Sequence, residues 1–286
     1  MAIRGCIARV AHKLSIQYAH NPLSYQESSM QPTTPYADVN AILSDLLARV
    51  QAILGENFVG MYLYGSLATG TFDPDSSDID FLVATQTEVQ GERFRQLQAM
   101  HTALGQTDSK WAIQMEGAYI SLPELRRYSE RQHPYLDRGA SNLVMETFHT
   151  DWVVQRYILR EYGITLVGPP IRDLIDPISG DDLRQAMVAM MAVWWELMLD
   201  DPAPLNTDGY RAYAIMTMCR VLYTMETGDV LPKGAAVKWA IPRLDAKHAK
   251  LAHLAATHRN GTPEITLSDV QSMIQLAVDA CRAWNF

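Results

Sequence analysis

The 286-residue chain is long enough for one large domain or two modest ones, which excludes a miniature scaffold stapled by disulfides. Its 48% hydrophobic and 20% charged content is that of an ordinary folded protein rather than a disordered or collagen-like one. The formal net charge of −8 disfavours nucleic acid as the main partner, because affinity for phosphate backbones rests on an excess of Lys and Arg, and it points to a cationic partner instead.

Residues 1–34 differ from the rest. Arg4, Arg9 and Lys13 outweigh Glu27, no hydrophobic period is sustained, and Met30 offers a second start; the segment reads as a disordered N-terminal extension and is set aside from fold reasoning. Residues 37–54 carry Val39, Ile42, Leu43, Leu46, Leu47, Val50, Ile53 and Leu54 at spacings of three and four, the period of an amphipathic helix, closed by Gly55. An apolar, aromatic strand follows over 58–64 and ends at Gly65-Ser66, where a helical turn is expected. A second strand spans 78–83, a helix 88–104 and a third strand 111–120. Together they make an α/β core with few strands.

Beyond Ser121 no further strands are expected. Residues 142–162, 181–199, 210–227, 233–241, 245–257 and 268–283 all read as helices. Gly168-Pro169-Pro170 and Asp176-Pro177-Ile178-Ser179-Gly180 interrupt them and mark a boundary near Ser179. The longest apolar run, 187–195, is nine residues, less than half of the ~20 that cross a bilayer. Met187, Met190, Met191, Trp194, Trp195 and Met198 form a stripe expected in the core. His248, His253 and His258 recur every five residues, ~140° apart per step on a helix, and so share no metal-binding face. Cys6, Cys219 and Cys281 are odd in number, far apart and without CxxC spacing, which argues against a disulfide framework or zinc site and fits a reducing, cytoplasmic setting.

The chemistry is concentrated in Tyr64-Gly65-Ser66-Leu67-Ala68-Thr69-Gly70 and Ser77-Asp78-Ile79-Asp80-Phe81-Leu82-Val83. Side chains alternate along a strand, so Asp78 and Asp80 project to one side, ~6.6 Å apart, while Ile79 enters the core. Two such carboxylates suit a cation between them, and an oxygen-only, incomplete ligand set suits Mg²⁺ with a triphosphate completing its shell. Gly65-Ser66, at the junction of a strand and a helical turn, offers backbone N–H groups and a hydroxyl to phosphate oxygens, and Gly65 allows the close approach a Cβ would obstruct. Glu116 is a charged residue in an otherwise apolar strand, costly unless paired or metal-bound. Arg220 lies on a largely apolar helix among Tyr213, Met216, Met218 and Leu222, and Lys233 follows Pro232, a residue favoured at the first helical position. A cation at a helix N-terminus opposes the helix dipole, and an anion bound between the two would relieve both.

The Gly65-Ser66 pair twelve residues before Asp78-Ile79-Asp80 resembles the mark of the nucleotidyltransferase fold of the polymerase-beta superfamily. Thr165-Leu166-Val167-Gly168, Asp176-Pro177, residues 217–220, Tyr223, Thr227-Gly228, Pro232-Lys233 and Trp239-Ala240 are similar to the aminoglycoside 3''/9-adenylyltransferase branch. The resemblance runs from about residue 37 to 241 and more weakly to the end. It implies an α/β (α+β) nucleotidyltransferase domain with a small mixed sheet over residues 35–178, followed by an all-α helical domain over 179–286. It implies ATP as co-substrate, Mg²⁺ on Asp78 and Asp80 with Glu116 completing the acidic set and acting as general base, and nucleotide contacts from Gly65, Ser66, Ser77, Arg220 and Lys233. The implied reaction transfers AMP to a hydroxyl of a small cationic acceptor, an aminoglycoside or aminocyclitol, bound in the interdomain cleft of a monomer. Relatives that accept streptomycin hold it with a Trp that residues 138–145 lack, and Tyr210, with Asp208 close by, stands where an acidic drug contact is expected, which leaves spectinomycin alone or an unknown native acceptor ahead of streptomycin. Two other classes stay open: transfer to a protein or tRNA, and a regulatory nucleotide-binding module without catalysis.

Overall fold

A computed structural model describes residues 33–75, 77–139, 142–258 and 265–284, so the N-terminal extension lies outside the described residues apart from Thr33 and Thr34. Thr34 is buried, and its backbone N–H donates to Asn40 Oδ1 at 3.0 Å, ahead of helix α1 (Ala37–Leu54). The described residues form one unit.

The chain continues through β1 (Phe58–Leu63), the single helical turn α2 (Gly65–Ala68), β2 (Ile79–Thr85), α3 (Gly91–Gly105) and β3 (Met115–Ser121). These follow the expected order. Residues 111–114 are a turn rather than the start of β3, because Trp111 donates its indole N–H to Asp38 Oδ2 at 2.7 Å and Gln114 N–H returns to Trp111 O.

After the short α4 (Leu122–Arg126) the expectation of helices alone fails. Three strands follow: β4 (Gln132–Leu136), β5 (Val144–Thr147) and β6 (Ile164–Val167), with α5 (Asp151–Tyr162) between the last two and α6 (Ile171–Leu174) after them. The helix expected over 142–162 is therefore a strand and then a helix. All three strands are five residues or fewer, too short for an alternating pattern to register, and β4 contains Pro134. They complete a six-stranded sheet of order β5-β4-β3-β2-β1-β6, in which only β2 and β3 run parallel.

The remaining helices are α7 (Gly180–Met190), α8 (Asp208–Thr227), α9 (Lys233–Ala240), α10 (Ala246–Ala256) and α11 (Leu267–Ala283). α7 opens on a capping box between Ser179 and Asp182, and α8 closes on Gly228 in the left-handed conformation. The helix expected over 181–199 does not run straight through: 191–195 form a π-helical turn and 196–199 a 3₁₀ turn. That change of pitch breaks the apolar stripe, so Met187, Met191, Trp195 and Met198 are buried while Trp194 is 52% exposed. Pro232 caps α9 from outside, which makes Lys233 the first helical residue.

The two faces of the sheet have different partners. Tyr62, Leu82, Ala84, Ala118 and Ile120, at alternate strand positions, pack in one continuous core with α5 and the helices from α7 onward. The opposite face carries Phe81 and Tyr119 against His101 of α3, whose Nε2 lies 2.8 Å from the Tyr119 hydroxyl. Burial pushes this histidine down to about 4, so it is neutral in the folded protein. Asp80 and Glu116 have the parity of Leu82 and Ala118, so the sheet turns both toward the helical half.

Gly117 pairs with Phe81 across β3 and β2, and a Cβ on it would overlap the Phe81 ring. Gly117→Ala is expected to destabilise the protein by ~1–3 kcal/mol through overpacking. A lowered urea midpoint with an unchanged slope would show this, and an unchanged midpoint would contradict it.

Candidate active site

In β2 and β3 every residue is buried except the second of each strand: Asp80 and Glu116. The parallel register sets these two directly side by side. With Asp78, just ahead of β2, they form a cluster in which one carboxylate oxygen of each residue lies within 4.8 Å of the others. The three acidic residues singled out in the sequence thus meet at one point.

Gly65 approaches from β1's end. Its φ is +62° and a Cβ there would overlap the Asp80 carboxylate, so both backbone conformation and space demand glycine. Tyr64 N–H donates to Asp80 O at 3.1 Å, and the Ser66 N–H donates to the Asp80 carboxylate. The Ser66 hydroxyl itself is buried without a hydrogen-bond partner among the described residues. The Ser77 hydroxyl accepts from Asp73 N–H at 3.0 Å, closing the turn before β2.

Burial drives the Asp80 carboxyl well above the usual carboxylate range, and the charges of Asp78 and Glu116 add to it. Glu116 is raised by burial too, opposed by a hydrogen bond from Tyr135, whose hydroxyl lies 2.6 Å from Oε1. Arg138, on the turn after β4, approaches Asp78 Oδ2 at 3.6 Å and donates from Nε to Gln114 Oε1 at 2.9 Å.

The helical half brings opposite charge. Arg220 on α8 and Lys233 at the start of α9 are both partly buried. The Arg220 Nε is enclosed without a hydrogen-bond partner among the described residues. Lys233 Nζ sits 4.0 Å from the centroid of the Tyr213 ring. Burial and then the neighbouring Arg220 push this ammonium down to about 8, while Asp78, Asp80 and Glu116 pull it back up. Lys233 is therefore within electrostatic reach of all three carboxylates. Tyr213 belongs to a stack with Tyr210 and Trp195, ring centroids 5.5–6.2 Å apart. Cys219, next to Arg220, is buried with its thiol pushed up to about 12, which leaves it unreactive.

The structure thus brings together an acidic cluster on a strand pair, a glycine turn with an unbonded hydroxyl, and two cations from a helical segment. Residues 44–132 match the nucleotidyltransferase domain family, and residues 173–283 match the aminoglycoside adenylyltransferase C-terminal domain family. The chain is a nucleotidyltransferase with this C-terminal domain. It is similar to an aminoglycoside (3'') (9) adenylyltransferase of Shigella flexneri, 25% identical over 222 residues that cover 74% of this chain and 82% of the relative. It is also similar to a spectinomycin 9-adenylyltransferase of Staphylococcus aureus, 24% identical over 72% of this chain and 79% of the relative. A spectinomycin adenyltransferase from Enterococcus faecialis, solved with ATP and spectinomycin, has the same fold: TM-score 0.67, 18% identity, 85% of this chain and 98% of that one.

Tyr135 and Arg138 are the groups touching this acidic cluster that sequence reasoning does not supply. Both belong to β4 and its following turn, and without that strand nothing links them to Glu116 or Asp78.

The raised Asp80 carboxyl carries a consequence for stability. Between the ordinary carboxylate value near ~4 and its raised folded value, the native protein holds a proton that the unfolded chain releases, so this group lowers stability as pH rises through that window. Asp80→Asn in EDTA is expected to melt ~2 °C or more above wild type at neutral pH, with the gap closing toward pH 4. Calorimetric melting temperatures across that range check it, and a variant that melts lower at every pH would refute it.

Proposed function

We propose that the protein transfers AMP from ATP to a hydroxyl of a small cationic acceptor, an aminocyclitol of the spectinomycin type, and so inactivates an antibiotic in the cytoplasm. The carrying observation is the meeting of three carboxylates within 4.8 Å with Ser66, Arg220 and Lys233, whose unbonded donors and costly charge call for an anion.

The donor set fits Mg²⁺: the ligands are all carboxylate oxygens, close enough to share one hard cation, and their mutual repulsion would be relieved by it. Asp78 and Asp80 would hold the ion, with Glu116 beside them. When bound, Mg²⁺ supplies charge neutralisation to the phosphate oxygens. The chain's own groups account for the rest. The Ser66 hydroxyl, the Arg220 guanidinium and the Lys233 ammonium bind the triphosphate. Tyr135 occupies Glu116 Oε1, leaving Oε2 to accept the proton of the acceptor hydroxyl. The acceptor oxygen then forms its bond to the α-phosphorus as the bond from that phosphorus to the α,β-bridging oxygen breaks, and pyrophosphate leaves. Burial of Glu116 raises its carboxyl, which makes it a better base than an exposed glutamate. Spectinomycin is favoured over streptomycin because residues 138–145 contain no Trp and because Tyr210, rather than an acid, stands in the stacked wall of α8.

Incubation with labelled ATP, Mg²⁺ and a panel of spectinomycin, streptomycin, tRNA and protein is expected to label spectinomycin. Glu116→Gln should lower kcat by ~10²–10⁴-fold, the usual contribution of a general base. Label on tRNA or protein with none on any drug would overturn the acceptor assignment.

The Lys233 ammonium gives a separate check. Its charge is lost as pH rises through about 8, so ATP affinity should weaken above that pH, by about tenfold per unit at most for a single proton. Lys233→Arg should hold its affinity flat to pH 9.5 in calorimetric titration. A wild type whose affinity does not change over that range would remove Lys233 from the phosphate site.

A further inference from the structure

Glu116 is useful as a base only if one carboxylate oxygen faces the acceptor hydroxyl and stays there. A glutamate side chain has three rotatable bonds, and left unrestrained its carboxylate would sample several rotamers rather than one direction. The structure contains a device that prevents this.

β3 and β4 pair antiparallel with Ala118 opposite Tyr135 and Gly117 opposite Leu136. Ala118 and Glu116 share a strand face, so Tyr135 lies on the face of Glu116 and diagonal to it, a separation that an aromatic side chain can bridge. The residue directly across from Tyr135 is a fully buried alanine. Its single methyl group lets the phenol lean along β3 and place its hydroxyl 2.6 Å from Glu116 Oε1. The ring is held as well. Its edge meets Phe148 at 5.8 Å and 90°, and Phe148 in turn stacks on Trp152 of α5 at 3.8 Å and 8°. Phe148 and Trp152 are both buried.

We propose that Tyr135 is the positioning residue of the reaction, holding Glu116 Oε1 so that Oε2 alone is presented to the acceptor, with Ala118 as the space that makes this reach possible. The phenol touches neither nucleotide nor acceptor in this scheme. It acts through Glu116, and so this inference rests on the assignment of Glu116 as the base. Aromatic packing rather than charge fixes its direction, which keeps the base oriented whatever the state of the acidic cluster.

The test is a kinetic cycle on the full chain with Mg²⁺, ATP and spectinomycin, using Tyr135→Phe, Glu116→Gln and the double variant. Tyr135→Phe keeps the ring and its contacts and removes only the hydroxyl. It is expected to lower kcat ~10- to 100-fold, the range for a misplaced catalytic group, with KM for ATP and for spectinomycin within about twofold and an unchanged melting temperature. In the Glu116→Gln background the same change should cost nothing more. Ala118→Val, which fills the space while keeping Tyr135, should reproduce the kcat loss with KM retained. If Glu116→Gln is inactive and Tyr135→Phe turns over like wild type, the positioning role is wrong and the base assignment stands. An equal loss from Tyr135→Phe in both backgrounds would likewise overturn it. Should Glu116→Gln turn over like wild type, the base assignment falls and this inference with it.

Discussion

The parallel pairing of β2 with β3 is the constraint on which the site depends. It sets Asp80 and Glu116 side by side in the middle of a six-stranded sheet whose neighbouring positions are all buried. Strands held on both sides cannot shift to separate the charges, and one carboxylate oxygen from each of Asp78, Asp80 and Glu116 therefore stays within 4.8 Å of the others, a repulsion of about 3 kcal/mol per ionised pair at an effective dielectric near 20. Gly65 adds to the confinement, because its missing Cβ lets the turn after β1 close directly on the Asp80 carboxylate and deliver the Ser66 N–H to it.

The helical half answers with the opposite difficulty. Arg220 and Lys233 are enclosed by apolar helices and are pushed toward neutrality by burial, and Lys233 rests on the Tyr213 ring rather than on a carboxylate. Among the described residues no ion pair joins these acids to Arg220 or Lys233: the acids remain together on the sheet and the cations together on α8 and α9. A substrate carrying anionic oxygens and an associated cation satisfies both sides at once. Because the core runs continuously from Tyr62 on the sheet to Cys281 on α11, the two walls are set by one packing arrangement.

This explains why the chemistry was more legible in the sequence than the topology. Gly65, Ser66, Asp78 and Asp80 lie within sixteen residues, and their spacing states a turn and a strand without long-range information. Glu116, Arg220 and Lys233 stood out because charge in an apolar segment needs a reason. The short strands β4, β5 and β6 had no such signal. β5 is a four-residue edge strand with three exposed positions, β4 holds a proline, and their existence depends on pairing with β3 rather than on their own pattern. Losing β4 meant losing Tyr135, whose relation to Glu116 exists only through cross-strand register. The helix expected over 181–199 failed for a related reason: apolar residues in a row fit an α-helix and a π-turn equally well, and the packing of Trp195 against Tyr210 and Tyr213 accompanies the π-turn observed there.

The net charge of −8 also takes a different meaning once the site is built. Among the described residues, the acids acting on one another here are Asp78, Asp80, Glu116 and the nearby Asp137, against Arg138, Arg220 and Lys233. Four acidic groups against three basic ones make the site close to neutral, so the chain's excess of acid is spread over its surface. Net charge can speed the approach of a cationic acceptor through the long-range field, but it does not provide the local attraction that holds one. Under the proposed function that attraction comes from groups at the point of reaction: the Glu116 carboxylate, the phosphate charge of the nucleotide and the Tyr210 ring. Selectivity among acceptors would then follow from shape and stacking against α8 more than from ion pairing. Under the proposed mechanism, a Glu116 base whose direction is set by the neutral phenol of Tyr135 keeps its aim as charged substrates come and go.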